Sequence, residues 1–346
     1  MSYSDRWTEL ADAAGVRVRP VDVYAGDFLD QLAGCDGFLW RFLPHQRQIA
    51  QRVLPAVELG MGLPVFPSFR SVWHYDDKVT QHYLLAAAGI PTPRSWTFWG
   101  ARAARAFARD AAYPLVFKLA LGWLAENVRL VRTPEEALAW IDRMFGPGVR
   151  SLQEPLRPPS PTLRQRVGGA ARALLGRPAG GRTGDRERGY FYVQEFLPDN
   201  AFDTRVTVFG NRAVAFRRMN RPGDFRASGS GRIDWDPGPI DLATVRLGFR
   251  VAKALGMPTL AVDGLRRGDE PVVGEVSYTS AAWAVRKCPG HWHLDGDPQT
   301  GALEWVPGEL RPEDAIFEDF LAEVARRRRP GSGGPAAPGP TPEAVL

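Results

Sequence analysis

The segment from Gln194 to Arg226 carries side chains that could bind a nucleotide. Its first part has polar and acidic residues, which are Gln194, Glu195, Asn200 and Asp203, and its last part has Arg217, Arg218, Arg221 and Arg226. Carboxylates accept hydrogen bonds from sugar hydroxyls, whereas the guanidinium fork of arginine fits phosphate or carboxylate. The combination indicates an enzyme that handles a nucleotide phosphate.

Asp263 and Glu275 lie on two strand-like runs that a turn at Arg267-Gly268-Asp269 would join into a hairpin. Side chains that face each other across such a pair approach within about 5 Å. Two carboxylates this close repel unless a cation lies between them, and Mg²⁺ is commonly held by one or two carboxylates plus phosphates. The pair therefore predicts a magnesium site, and two solvated surface acids are the alternative.

Two lysines are further candidates. Lys118 ends the apolar run YPLVFK, where a lysine is either solvated or placed to meet an anion. Lys78 falls in the first turn of a predicted helix, where the helix dipole disfavours a cation. That position favours a functional role for Lys78.

The elements that must position these residues follow from periodicity and turn signals. The first 75 residues alternate strand and helix patterns, with predicted strands at Val16–Val23, Gly37–Phe42 and Pro64–Phe66 and a helix at His45–Leu59. Helices are then predicted at Asp76–Ala88, Ala101–Asp110 and Thr133–Met144, and strands at Ile90–Trp99, Pro114–Leu119 and Val128–Val131. Later strands are predicted at Tyr190–Phe196, Arg205–Phe209, Ala213–Arg217, Thr259–Leu265 and Pro271–Val276, with helices at Leu242–Leu255 and Pro312–Arg328.

The charge of the 346-residue chain is concentrated in one segment. Residues 157–188 contribute +6 to a net charge of +5, so the remainder carries −1. Their Pro, Gly and Arg content predicts a partly disordered insertion, and the chain beyond Arg329 has the composition of a disordered tail. The insertion is either solvated without a dedicated partner or an arm for nucleic acid, anionic membrane or an acidic protein. It lacks the interleaved aromatics that stack on bases, so we expect no nucleic-acid or membrane partner.

Composition excludes several other classes. No apolar run is long enough to span a membrane, and the N-terminus lacks a signal-peptide core. The two cysteines, Cys35 and Cys288, form neither a disulfide framework nor a metal-binding spacing. We therefore expect a cytoplasmic protein in a reducing compartment.

Four motifs occur in an order that resembles the ATP-grasp superfamily, closest to RimK-like carboxylate–amine ligases. They are DDKVTQHYLLAAAGIPTPRSW, YPLVFKLALGWLAENVRLV, YVQEFLPDNAFDTRVTVFGNRAVAFRRMNRPGDFR and AVDGL followed by PVVGEVS. The stretches FPSFRSVWHYDDKVTQHYLL, DFRASGSG, EVSYTS and CPGHW are similar to a bacterial subgroup of ATP-grasp proteins. Four motifs in order are more specific than any one of them.

The resemblance implies an α/β protein with α+β lobes. Its parts would be a pre-ATP-grasp domain (1–75), a small lobe (76–150), the insertion (151–189), a large lobe (190–329) and a disordered tail (330–346). It also implies an ATP- and Mg²⁺-dependent ligase that forms an amide through an acyl phosphate, from a small-molecule or peptide carboxylate and an amine.

The resemblance further implies a role for each matching residue. Lys78 and Lys118 would contact the ATP phosphates, and Gln194, Glu195 and Leu197 would form the adenine hinge. Asp203 would hold the ribose, and Asp263, Glu275 and Ser277 would bind Mg²⁺. Arg218, with Arg221 and Arg226 beside it, would neutralise the γ-phosphate or the acyl phosphate.

The sequence departs from the family pattern in two places. The loop that should cover the phosphates with small residues reads Leu121–Asn127, with bulky Trp123 and Leu124 and an acidic Glu126. The metal strand reads Glu275-Val276-Ser277 where the family has Glu-x-Asn. A second hypothesis is therefore a degenerate ATP-grasp protein that binds nucleotide or a partner with little turnover. A third is an RNA- or membrane-associated protein that uses the arginine-rich insertion.

Overall fold

A computed structural model describes residues 2–122, 127–150 and 186–328. Residues Trp123–Glu126 of the predicted phosphate loop, most of the insertion and the whole of the predicted tail lie outside the described residues. Within the described ranges, every helix is too short or too polar to cross a lipid bilayer. Cys35 and Cys288 are both free thiols.

The N-terminal unit is a small α/β layer around two parallel strands, β1 (Phe38–Leu39) and β2 (Val65–Phe66). The other elements are α1 (Tyr3–Ala13), α2 (Phe28–Gln31), a 3₁₀ turn at Pro44–Gln46, α3 (Arg47–Pro55), a π turn at Ala56–Gly60 and α4 (Phe69–Val72). The predicted strand Val16–Val23 is wrong, since these residues form an irregular segment. Val16 and Val18 are 38% and 48% exposed, and Pro20 has no N–H to donate to a ladder.

The small lobe is a four-stranded sheet in the order β3-β8-β4-β5, and residues of three helices share its core. The strands are β3 (Ser95–Phe98), β4 (Leu115–Lys118), β5 (Val128–Val131) and β8 (Phe191–Glu195), and a two-stranded ladder joins β6 (Val149–Arg150) to β7 (Arg186–Glu187). The helices of the lobe are α5 (Lys78–Ala87), α6 (Ala101–Asp110) and α7 (Pro134–Phe145). Thr133 caps α7 and Pro134 occupies its first turn. Strands β4 and β5 pair antiparallel, at the predicted positions.

The large lobe is a seven-stranded sheet in the order β13-β12-β9-β10-β14-β15, with β11 added beside β10. Its strands are β9 (Phe202–Phe209), β10 (Arg212–Met219), β11 (Ile233–Asp234), β12 (Thr259–Arg267), β13 (Glu270–Ser277), β14 (Gly290–Asp295) and β15 (Ala302–Pro307). Strands β14 and β15 are not among the predicted elements. The helices are α8 (Leu242–Leu255), α9 (Ala282–Arg286) and α10 (Pro312–Arg328).

Alternation along β9 decides what each face of the large sheet does. Val206 and Val208 point to the core shared with α8, which approaches so closely that a Cβ on Gly248 would lie 2.7 Å from Val206. Asp203 and Arg205 point to the opposite face, together with Phe209, which packs in a second core with α1, α9 and α10. One end of that opposite face is therefore apolar and helix-covered, while the other end carries charges.

Contacts between α5 and β13 and between the N-terminal unit and the large lobe hold the parts together. The amide of Gln81 pairs with both backbone groups of Val276, at 2.9 and 3.2 Å. Tyr278 stacks on Phe42 with ring centroids 4.6 Å apart and donates its hydroxyl to the Phe42 carbonyl. These contacts bring α5, and with it Lys78, against the strand that carries Glu275.

Candidate active site

Two lysines of the small lobe are brought to the same place by the end of β4. Lys118 is the last residue of β4, and the backbone N–H of Lys78, at the start of α5, donates to the Ala120 carbonyl at 2.9 Å. Asp77 caps α5 by accepting from the Thr80 N–H at 2.9 Å. The capping interaction and the backbone bond together fix the direction in which Lys78 leaves the helix.

The ammonium group of Lys78 is surrounded by oxygen atoms. It donates to the Gly122 carbonyl at 2.5 Å and lies 3.5 Å from Glu275 Oε1 and 3.9 Å from Asp76 Oδ1. Burial works against its charge, but the carboxylates of Glu275 and Asp76 outweigh burial and raise the pKa of Lys78. Lys78 therefore remains a cation, directed at the strand that carries the predicted metal ligands.

Lys118 is in a different electrostatic state from Lys78. Burial, with the charge of Lys78 adding to it, lowers the pKa of Lys118 to about 8, although Glu275 and Asp263 act in the opposite direction. Its protonation therefore changes near neutral pH, unlike that of an exposed lysine.

The predicted hairpin of Asp263 and Glu275 is present as β12 and β13. The register places Asp263 directly opposite Glu275, with an irregularity between Asp263 and Gly264. Ser277, the third predicted metal ligand, lies two residues further along β13, and its hydroxyl accepts from the Thr279 N–H at 3.3 Å. The three predicted metal ligands thus lie on one hairpin, with both carboxylates on the charged face of the sheet.

Four alternating charges, which we call the charged quartet, occupy that face. They are Asp203 and Arg205 on β9, Arg218 on β10 and Asp263 on β12. Arg218 contacts both oxygens of Asp203, at 2.7 and 2.6 Å, and also Asp263 at 2.7 Å. Arg205 contacts both oxygens of Asp263, at 2.6 and 2.8 Å.

The charged quartet explains the ionisation of its central carboxylate. Burial opposes the charge of Asp263, but Arg205 and Arg218 outweigh it and hold the pKa of Asp263 well below its usual range. Both oxygens of Asp263 thus face guanidinium groups, and those of Asp203 face Arg218. A ribose at Asp203 or a metal at Asp263 has to share these carboxylates with arginine.

The predicted adenine hinge is a polar crossing between the lobes. Gln194 is buried and donates to the Tyr192 hydroxyl at 2.7 Å. The carboxylate of Glu195 accepts from Arg94 at 2.8 and 2.9 Å and from the Arg267 guanidinium, while its backbone N–H donates to the Arg94 carbonyl at 2.8 Å. A narrow crevice lies beside the hinge and is lined by residues of both lobes, among them Lys78, Tyr192 and Gln194 of the small lobe and Val273 of the large lobe.

Leu197 is the last residue of the predicted hinge. The remaining predicted arginines, Arg221 and Arg226, belong to a turn of the chain that packs next to it. The Leu197 carbonyl lies 3.4 Å from the amide of Asn200. Arg226 pairs with Asp224 at 2.6 Å within its own turn, and Arg221 donates its backbone N–H to the Arg226 carbonyl at 3.3 Å. The ring of Phe225 in that turn packs edge-on against the ring of Phe196, with ring centroids 5.7 Å apart. The turn therefore lies against the hinge, with Arg226 held by a local carboxylate.

Three charged residues at the site were not among the predicted ones. Arg205 could have been found from its spacing, because residues two apart on a strand share a face and Asp203 was already a candidate. Asp76 precedes Lys78 by two residues, and its backbone has a positive φ of 53° that only folding reveals. Glu187 gave no signal, because it lies at the end of the segment interpreted as an insertion.

The donor chemistry of the hairpin fits a magnesium ion completed by phosphate oxygens. Asp263, Glu275 and Ser277 offer hard oxygen ligands, which Mg²⁺ prefers. In the described part of the chain, no group of three or more His, Cys, Asp or Glu side chains could hold a metal ion by itself. A site with two carboxylates therefore needs a ligand that brings further oxygens.

Comparison with solved structures gives the architecture. The chain is similar to a D-alanine–D-alanine ligase from Bacillus anthracis, with a TM-score of 0.52 and 13% identity over 94% of this chain and 93% of that chain. It is also similar to a RimK domain ATP-grasp protein from Sphaerobacter thermophilus DSM 20745, with a TM-score of 0.46, 22% identity and coverage of 80% and 86%. A third neighbour is the ATP-grasp ligase PsnB in complex with minimal precursor, Mg and ADP, with a TM-score of 0.45, 17% identity and coverage of 80% and 68%. No protein-family model matches the chain.

Proposed function

We propose, from the ATP-grasp fold that this chain has, that it is a Mg²⁺-dependent carboxylate–amine ligase that uses ATP. The observation that carries the proposal is the convergence of both lobes on one cleft. The small lobe contributes Lys78 and Lys118, and the large lobe contributes the charged quartet and Glu275. Cations and a magnesium site arranged around one point are suited to phosphoryl transfer, where charge develops on phosphate oxygens.

In this proposal the chain's own residues divide the work. Lys78 and Lys118 hold phosphate oxygens, and Arg218 and Arg205 neutralise the group that is transferred to the substrate carboxylate. Asp263, Glu275 and Ser277 hold Mg²⁺, which supplies charge neutralisation of the phosphates when bound. The substrate carboxylate attacks the γ-phosphorus of ATP and ADP leaves, which gives an acyl phosphate. An amine then attacks the acyl carbon, the C–O bond to phosphate breaks, and phosphate leaves while the amine loses a proton to give the amide. The acid is a small-molecule or peptide carboxylate.

A second candidate function is nucleotide or partner binding with little turnover, and one observation favours it. Around the cleft, the cations Lys78, Arg205 and Arg218 already pair with carboxylates of the chain itself, which are Asp76, Glu275, Asp203 and Asp263. Phosphate binding therefore has to displace internal ion pairs, which weakens affinity.

Calorimetry with ADP, with and without Mg²⁺, tests the shared part of both candidates. Mg²⁺-dependent binding is expected for the ligase and for a nucleotide-binding protein with little turnover, and its absence overturns both. Phosphate release is then measured with ATP over a panel of amino acids and short peptides. Turnover of order 1 per second or faster with one acid–amine pair supports the ligase. Binding without release on any pair supports the second candidate.

A further inference from the structure

The start of the loop Leu121–Asn127 binds carboxylates of its own chain. Three successive backbone N–H groups, those of Ala120, Leu121 and Gly122, donate to acidic side chains. Glu187 Oε2 accepts from Ala120 at 2.9 Å and from Leu121 at 3.3 Å, and Asp76 Oδ1 accepts from Gly122 at 3.3 Å. Consecutive backbone N–H groups that converge on one point can bind an anion, and here those of Ala120 and Leu121 converge on a carboxylate of the protein itself.

Glu187 is built into this position. It is 9% exposed, and it reaches the loop from β7, whose partner in the ladder is β6. Tyr190 donates its hydroxyl to Glu187 Oε2 and accepts from the Ala120 N–H at 2.7 Å. The second oxygen, Oε1, is buried and has no hydrogen-bond partner among the described residues. One oxygen of Glu187 therefore holds the base of the loop, while the other remains uncompensated.

The charge of Glu187 also acts on the phosphate-binding lysine. Burial raises the pKa of Glu187 above its usual value. Tyr190, the two N–H groups and the charge of Lys78 oppose this rise, because each of them favours the ionised form. Glu187 in turn is one of the carboxylates that raise the pKa of Lys78. Any phosphate that Lys78 holds therefore enters the field of an anion that is already in place.

We propose that Glu187 is a positioning residue that holds the base of the phosphate loop in its nucleotide-free arrangement and competes with nucleotide phosphates for that region. The inference rests on the proposed function, since it assigns a nucleotide to this cleft. It follows that removing the charge of Glu187, a buried residue at the site, strengthens nucleotide binding.

The test is the Kd of ADP with Mg²⁺, measured by calorimetry for the wild type and for Glu187→Gln. Glutamine keeps an oxygen that accepts from Ala120 and Leu121 but has no charge. The Kd is expected to fall by about fivefold, the effect of one unit charge at 4 Å in a water-like dielectric. Asp142→Asn is the matched control, because it removes an exposed carboxylate of the same lobe that pairs with Arg105. The control is expected to leave the Kd unchanged.

Two further variants separate charge from loosening of the loop. Tyr190→Phe removes a hydroxyl that holds Glu187 and Ala120 but leaves the carboxylate charged, so no tightening is expected. Asp76→Asn removes the carboxylate on the Gly122 N–H and is expected to tighten binding, which keeps the proposal testable should Glu187→Gln not fold. Thermal unfolding checks that each variant is native.

The outcomes distinguish the two proposals. The inference is supported if the Kd of ADP falls in Glu187→Gln and does not fall in Tyr190→Phe. It is also supported if Glu187→Gln is the variant that binds ADP when the other proteins do not. Equal tightening by both variants, or an unchanged or weaker Kd in a folded Glu187→Gln protein, overturns the inference and leaves the nucleotide site in place. Absence of binding in the wild type and in every variant overturns the nucleotide site itself.

Discussion

The two sides of the cleft hold their charges in different ways. On the large-lobe side, the charged quartet lies on three adjacent strands, where the ladder fixes each neighbour, as in the register pairs Arg218–Asp203 and Asp263–Arg205. Its contacts are bidentate and 2.6 to 2.8 Å long. On the small-lobe side, Lys78, Asp76 and Gly122 meet through turns and single contacts of 2.5 to 3.9 Å.

The difference indicates where rearrangement on ligand binding is concentrated. Side chains fixed by a sheet are pre-organised and lose little freedom when a ligand binds. Groups held by loop backbone and by in-chain carboxylates have to exchange partners. We therefore expect variants in the charged quartet to affect folding stability first, and variants on the small-lobe side to affect nucleotide affinity first.

The largest effect is expected from Arg218→Met, which leaves the buried Asp203 without its bidentate partner. Breaking a buried ion pair on one side costs about 3–5 kcal/mol in the free energy of unfolding. Urea denaturation measures the loss. Arg105→Met, which removes an exposed pair with Asp142, is the control and should cost about 0–1 kcal/mol. Equal losses in the two variants would show that the charged quartet is not a preformed unit.

Lys118→Met is expected to change nucleotide affinity and not folding stability. It should weaken Mg²⁺–ADP binding by about 10- to 100-fold, the loss of a charge-assisted hydrogen bond, with little change in unfolding. Lys253→Met, at an exposed pair with Asp297, is the matched control and should bind like the wild type. A loss of stability without a loss of affinity would mean that Lys118, like the charged quartet, stabilises the fold and does not bind nucleotide.

The pKa of Lys118 also predicts that nucleotide affinity depends on pH. Because burial lowers this pKa to about 8, the cation that binds phosphate is present below that pH and is lost above it. Nucleotide affinity of the wild type should therefore decline as the pH rises through 8. The decline should be absent in Lys118→Met, and calorimetry between pH 6 and about 9.5 measures both profiles. Parallel profiles would assign the titration to another group.

Glu275→Gln tests the boundary between the two sides, since Glu275 lies on the large lobe and faces Lys78. Losing one carboxylate ligand should reduce the Mg²⁺ dependence of ADP binding by at least about tenfold. Glu270→Gln, at the exposed start of the same strand, is the control. If both variants keep the Mg²⁺ dependence of the wild type, the metal site lies elsewhere.

The smallest effect is expected at Ser277. Ser277→Asn gives the metal strand the amide oxygen of the family pattern, with longer reach, so Mg²⁺-dependent binding should tighten by about two- to threefold. Ser277→Ala should weaken it by a similar factor. Titration of Mg²⁺ at fixed ADP measures both. No change in either variant would mean that the hydroxyl serves only its turn, where it accepts from the Thr279 N–H.

Local sequence patterns were sufficient for most of the elements that carry the site. The hairpin of Asp263 and Glu275 follows from alternating apolar residues around a Gly-containing turn, and its register then places the two carboxylates together. The start of α5 follows from Asp77 as its cap. Strands β14 and β15 were missed, although buried and less buried residues alternate along β14 as expected for a strand.

The sequence alone determined most of the local elements that carry the candidate lysines and carboxylates, because strand alternation, helix caps and turn residues act over a few neighbours. The fold followed from the order of the motifs, through their resemblance to a family. Only the tertiary structure decided which charge faces which. Glu187 lies more than sixty residues from the loop N–H groups that it holds, and Arg205 lies 58 residues from Asp263. Ion pairs of this kind depend on the pairing of distant strands and on burial, which set the local dielectric and the pKa of each group. No short-range pattern in a chain records them.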